Sequence, residues 1–173
     1  MERFDAYDKN RKLLGYSYPR GTKLKDGEHR TVIHICIFNQ NGEMLIQQRA
    51  SCKKLWPDMW DITAGGNVTT GESSSESASR ELYEELGIDI DFSNIRPHFT
   101  INFENGFDDY YFLTMNPNLD SLTLQEDEVQ AIKWASKEDI KEFVVTKEIV
   151  EKKQQPPSGE IVQLPMKHKE EIA

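Results

Sequence analysis

Arg80, Glu81, Glu84 and Glu85 crowd into six positions near the end of GGNVTTGESSSESASRELYEELG, residues 65 to 87, and Glu72 lies eight positions before Arg80. On a helix, Glu81 and Glu85 share one face a turn apart, with Glu84 beside them and Arg80 further round the same flank. Like charges so placed repel. They also sit near the helix C-terminus, where the macrodipole disfavours negative charge, and each effect costs roughly a few tenths of a kcal/mol. A hard divalent cation would offset that cost. Mg²⁺ takes oxygen ligands and uses one or two carboxylates together with substrate phosphates. The Gly65-Gly66 pair lets a backbone carbonyl come close. His and Cys are absent from this run, which argues against zinc. The same composition would also suit a helix whose acidic face simply meets solvent.

The elements that must position these residues are legible around them. A serine cluster before Ser74 offers an N-cap, and Glu76 stands where a capping box needs it. Ala78, Leu82 and Leu86 form one apolar stripe, and Gly87 supplies a stop, so the pattern predicts a helix over 73–86. RFDAY and LLGYSY flank a turn-like DKN and predict an N-terminal hairpin within residues 1–18. TVIHICIF and EMLIQQ predict a second hairpin around Asn41-Gly42, and apolar residues on both faces of TVIHICIF make it a central strand. A short strand is expected near Trp60 to Thr63. IRPHFTINFE and FDDYYFLTMN read as strands joined near Asn105-Gly106, and another strand ends near Trp134. Ser136 with Asp139 caps a helix running toward Val145, and a further helix is expected over 146–154, before Pro156-Pro157. The expected class is α+β, a mixed sheet flanked by two or three helices.

Length and composition limit the functions open to the chain. Its 173 residues fit one domain (1–173), with residues 1–28 as an N-terminal extension and 155–173 as a tail. The net charge of −9 disfavours sequence-independent nucleic-acid binding and anionic membranes. No apolar run of about 18 residues suggests a membrane span. The N-terminus MERFDAYDKN does not read as a secretory signal. The two cysteines, Cys36 and Cys52, show no metal or disulfide pattern, and the expected compartment is a reducing cytoplasm. His29, His34, His98 and His168 share no ligand-like spacing, and His34 reads as a core residue. Trp56, Trp60, Phe103, Phe107, Tyr110 and Tyr111 could stack on a base or fill the core.

The offsets within the acidic run carry more than their composition. Gly66, Glu72, Arg80-Glu81-Leu82, Glu84-Glu85 and Gly87-Ile88 resemble the Nudix box, G-x5-E-x7-R-E-U-x-E-E-x-G-U with U a bulky apolar residue, at every fixed position over residues 65–88. The resemblance implies an α/β/α sandwich with a strand–loop–helix unit, an N-terminal hairpin and C-terminal helices. It implies a Mg²⁺-dependent hydrolase, with Mn²⁺ a possible substitute, that cleaves a small-molecule diphosphate. Many relatives are dimers, so a homodimer is possible. Glu81 and Glu85 would be the main metal ligands, Glu84 would assist, and a carbonyl of Gly65 or Gly66 would join them. Arg80 would orient a box carboxylate through a bidentate pair, Glu72 would be structural or an outer-shell ligand, and Gly87 would be structural. The general base varies within the family. Glu81, Glu84 or a later acid (Glu104, Asp108, Asp109, Glu126, Asp127, Glu128) are all open.

A narrower resemblance covers roughly residues 29 to 90. Phe38-Asn39, Leu45-Ile46-Gln47-Gln48-Arg49, Lys53-Lys54 and Trp56-Pro57 are similar to the branch containing isopentenyl diphosphate isomerase and its hydrolase relatives. It implies that Arg49 and Lys53 grip the diphosphate. The isomerases carry a cysteine and a metal-binding histidine where this chain has Gly65 and Asn67. A hydrolase of that branch is therefore expected, acting on a nucleoside diphosphate derivative or a similar metabolite, with a non-catalytic ligand sensor and an isomerase as the alternatives.

Overall fold

The computed structural model describes residues 1–142. The N-terminal hairpin forms as β1 (Arg3–Tyr7) and β2 (Leu13–Pro19), paired antiparallel. The main sheet contains β3 (Arg30–Phe38), β4 (Met44–Arg49), β5 (Trp60–Asp61), β6 (Ala64–Asn67), β7 (Phe99–Phe103), β8 (Gly106–Thr114) and β9 (Val129–Ala135). It is mixed. β3 runs parallel to β8, while the pairings β3–β4, β3–β6, β4–β9 and β7–β8 are antiparallel.

Helix α1 (Ser74–Leu86) obeys the signals read from its ends. Ser73 caps it with a reciprocal box to Glu76, and Gly87 closes it at φ 69°, its N–H donating to the Tyr83 carbonyl. Ala78, Leu82 and Leu86 bury against Ile33, Ile35 and Ile37 of β3, so α1 covers one face of the sheet. On the other face, Cys36, Met44, Ile46 and Ala135 form a second cluster, which partly covers Ile140. Ile140 belongs to a helix that starts at Lys137, capped by reciprocal Ser136–Asp139 hydrogen bonds. Helix on either side of a sheet gives three layers. The expected helix over 146–154 and the tail at 155–173 lie outside the described residues.

One strand went unread. The sequence suggests a single short strand from Trp60 to Thr63; the chain forms β5 and then β6, whose sequence AGGN looks like a loop. β6 exists because Val32 to Ile35 of β3 need partners on that edge, and Asn67 to Ala64 supply them. β3 meets β4 only at Ile37 and Phe38, so the sheet forks where β4 and β6 leave β3. Thr63 pins the fork. Its buried hydroxyl accepts from the Ile37 N–H at 2.9 Å and donates to the Leu45 carbonyl. The strand expected from Ile95 begins only at Phe99.

The N-terminal hairpin is fastened to the box. Tyr7 and His29 exchange backbone hydrogen bonds of 2.9 and 2.8 Å. The N–H of Thr70 donates to the Arg3 carbonyl, and that of Gly71 to the Asp5 carboxylate, both at 2.9 Å. Arg11 forks onto the fully buried Asp109 of β8.

Candidate active site

The fork, the N-terminus of the chain and the second half of α1 enclose a cleft of about 560 Å³. The backbone of Gly65 and Gly66 lies beneath Glu81 and Glu85 there. Gly66 is small for a reason. A Cβ on it would fall 2.2 Å from Glu81 Oε1, so the carboxylate occupies the volume a side chain would take. Glu85 is 6% exposed, turned in with the core stripe. Gln47 of β4 donates to it at 3.0 Å, and the Gly65 N–H donates to it as well.

Arg80 ties three carboxylates of the box together. Its Nε and Nη2 reach Glu72 at 2.9 and 3.1 Å, and its Nη1 reaches Glu81 at 2.9 Å and Glu84 at 3.0 Å. Glu72 also accepts from Ser77. Burial alone would raise the Glu72 carboxyl, but Arg80, Ser77 and Thr69 outweigh it and pull it down to about 2. The opposite holds for the next two. Burial pushes Glu81 up to about 7 against the attraction of Arg80. Burial and then the nearby Glu81 push Glu85 up to about 8. A cation in the cleft would reverse both shifts.

The donors that line the cleft are oxygen-rich: Glu2, Thr69, Glu72, Glu81, Glu84, Glu85, Gln125 and Glu128, with no His or Cys among the described residues. That set suits a hard cation. Among the described residues, no three His, Cys, Asp or Glu side chains already converge as a closed metal cage. Arg80 turns the same Nη1 to Glu81 and to Glu84, and of the two Glu84 is the more exposed.

A family model for the NUDIX domain matches residues 27–161. The chain belongs to the Nudix family. An uncharacterized Nudix hydrolase of Listeria monocytogenes is 47% identical over 140 residues, which is 81% of this chain and 83% of that protein. An isopentenyl-diphosphate Delta-isomerase of Salmonella heidelberg is 34% identical over 89 residues, 47% of this chain and 49% of that enzyme. Among solved structures, a Deinococcus radiodurans protein superposes with a TM-score of 0.71 over 89% of this chain and all of its own, at 22% identity, which speaks for the fold alone.

This Nudix hydrolase is a pyrophosphohydrolase by family, and the class of its substrates is that of small molecules. Of the cations expected to grip phosphate, Arg49 lines the cleft. Lys53 does not line it. Its Nζ is bound to Glu128 at 2.5 Å, so it neutralises a carboxylate at the rim. Arg20 lines the cleft from the end of the N-terminal hairpin, paired with Glu2 at 2.7 Å, and neither residue stands out by spacing or motif. Among the later acids, Glu128 alone lines the cleft. Asp109 is fully buried and bound by Arg11, Ser74 and Thr100, a structural role. Asp108 lies 3.2 Å from His34. Neither cysteine lines the cleft: Cys36 is buried in the second cluster, and Cys52 is exposed. Among the described residues, no helix is long and apolar enough to cross a membrane.

Proposed function

We propose that this chain is a divalent-cation-dependent hydrolase that cleaves the diphosphate linkage of a nucleoside diphosphate derivative or similar small phosphorylated metabolite. Mg²⁺ is the expected cation, with Mn²⁺ as a substitute. The observation that carries the reading is the meeting of Glu81 and Glu85 over the Gly65-Gly66 backbone. A buried carboxylate (Glu85) and a half-buried one (Glu81), both raised well above the usual range, are held together in a cleft open to solvent. Such a pair is costly unless a cation is shared between them.

Glu81 and Glu85 would hold the cation, with a carbonyl of Gly65 or Gly66, and with Glu84 acting directly or through water. When bound, the cation neutralises the diphosphate and acidifies an attacking water. The chain's own residues do the rest. Gln47 fixes the rotamer of Glu85. Arg80 fixes Glu81 and Glu84 relative to Glu72. Arg49 presents a guanidinium to the substrate phosphates. The general base is a carboxylate beside the attacking water, Glu81 or Glu84, whose geometry is set by Arg80.

The test is product release from a panel of nucleoside di- and triphosphates, dinucleoside polyphosphates, nucleotide sugars and isopentenyl diphosphate, in Mg²⁺ and in Mn²⁺. Activity on at least one class that disappears in Glu85→Gln supports the reading. Silence across the panel, with cation binding shown by calorimetry, would overturn it.

A further inference from the structure

Among the described residues, β7 pairs on one side only, with β8. The unpaired N–H and C=O groups of an edge strand are a template for another strand, and proteins ordinarily guard such edges with charge or proline. β7 reads Phe99-Thr100-Ile101-Asn102-Phe103 and has neither. It is open to solvent, with Phe99 43% and Ile101 48% exposed. By alternation Phe99, Ile101 and Phe103 share one face of the sheet. On that face Phe99 stacks on Tyr110 and Tyr110 on His34, with ring centroids 4.7 and 4.6 Å apart, so a row of rings crosses from β3 and ends in the open at β7. Thr100 turns to the other face, where its hydroxyl donates to the buried Asp109 at 2.6 Å.

The sheet decides which backbone groups of β7 face outward. The Asn105 carbonyl accepts from the Arg30 N–H of β3 at 3.0 Å. Alternation along β8 then turns Gly106, Asp108 and Tyr110 toward β7, and their partners Phe103, Ile101 and Phe99 turn back toward β8. The N–H and C=O groups of Thr100 and Asn102 are left facing outward. The strand is also symmetric in chemistry about Ile101, with a phenylalanine two positions away on either side. A twofold axis at Ile101 sets Thr100 opposite Asn102 of a second copy, so the outward groups meet each other in both pairs. The same axis sets Phe99 opposite Phe103 on one face, and it keeps all of both strands paired. One step further along, His98 meets Glu104, and both are exposed. His98 Nδ1 accepts the Phe112 N–H at 3.1 Å, so the ring proton sits on Nε2, where it can donate to that carboxylate. An interface between identical copies needs a self-complementary patch of this kind.

We propose that β7 is a self-association edge, at which a second copy of this chain adds its own β7 antiparallel about a twofold axis at Ile101 and joins the two sheets into one. The inference does not depend on what the cleft cleaves. The strand offers 5 residues a side, against roughly 20–30 in a standard interface, so the dimer forms and dissociates with concentration.

The test is sedimentation velocity on the full chain from roughly 1 µM to 1 mM, over which monomer is expected to give way to dimer. Ile101→Lys sets two ammonium groups against each other on the axis, and Ile101→Glu sets two carboxylates there. Each variant alone is expected to stay monomeric, and an equimolar mixture of the two to recover the dimer. Thermal melts show whether each is folded. Directly opposed residues outside the hydrogen-bonded pairs have Cα atoms about 4.5 Å apart, within disulfide reach. Ile101→Cys, with Cys52→Ser to remove the other exposed thiol, should therefore cross-link copy to copy on oxidation. A wild type that stays monomeric throughout gives the edge to some other occupant and overturns the proposal. A dimer that persists in both charged variants forms elsewhere and overturns it too, as does a mixture that stays monomeric. Should a charged variant fail to fold, the absence of the Ile101→Cys cross-link overturns the axis and its presence supports it.

Discussion

Glu81 occupies the space that a side chain on Gly66 would need: its Oε1 lies 2.2 Å from where that Cβ would be. Gly66→Ala must therefore move the carboxylate. A misplacement of about 1 Å at a reacting centre can cost on the order of 100-fold in rate, and a loss of that size is expected in kcat with little change in the melting temperature. Steady-state kinetics beside a thermal melt checks this. A variant with full kcat would detach Glu81 from the chemistry.

Cation binding should stabilise the fold. A ligand at about 100 times its Kd adds roughly 2.7 kcal/mol, which in a domain of this size raises Tm by roughly 5–10 °C. Mg²⁺ should produce that rise in the wild type by differential scanning fluorimetry. Glu85→Gln should lose most of it, because one of the two carboxylates proposed to hold the cation is gone.

Arg80→Lys keeps the charge and loses the fork. A lysine cannot span Glu72, Glu81 and Glu84 at once, and hydrogen bonds to charged groups contribute about 1.5–3 kcal/mol each. Arg80 is one-quarter exposed, so the expected loss is near the low end, about 1.5–2 kcal/mol in denaturant unfolding. Activity should fall further than stability, since Glu81 and Glu84 lose their shared restraint.

The Arg11–Asp109 pair should make the fold acid-sensitive. Burial would raise the Asp109 carboxyl, but Arg11, Ser74 and Thr100 outweigh it and hold it below the usual range. The folded chain therefore binds the proton less readily than the unfolded chain. Its contribution is complete above the unfolded value, about pH 4, and is lost as pH falls through the folded value. Unfolding measured from pH 6 down to pH 2 should steepen below about pH 4 in the wild type and flatten in Asp109→Asn. Arg11→Met strands a buried carboxylate and should cost about 3 kcal/mol, at the low end for a broken buried pair because Arg11 is one-third exposed.

What could be read from the sequence was local. Ser73, Glu76, the stripe Ala78–Leu82–Leu86 and Gly87 fix α1 within one stretch of chain, and the same periodicity sets Glu81 beside Glu85. The family follows from offsets inside that stretch. Parts that depend on distant pairing stayed hidden. AGGN becomes β6 only because β3 runs beside it. Arg20 and Glu2 reach the cleft because hydrogen bonds from the Thr70 and Gly71 N–H groups fasten the hairpin to the box loop. His34 reads as an ordinary core histidine from its strand, yet its ring stands at the open end of a stack and borders a cavity. Lys53 reads as a phosphate ligand, and the approach of Glu128 to its Nζ is a contact across 75 residues of sequence.

The parallel pairing of β3 with β8 bears on how the chain is made. Arg30 to Phe38 pair with Gly106 to Thr114, so roughly seventy residues, the whole acidic box among them, are spooled out between the two strands. On a ribosome, β3 is synthesised long before β8, with Ile33, Ile35 and Ile37 already in place and one edge unpaired. Long-range strand pairing is slow, and an open apolar edge invites pairing with another copy. During synthesis, the half-made chain is therefore more prone to aggregate than the finished one. Slowing translation before β8 should lengthen its dependence on chaperones.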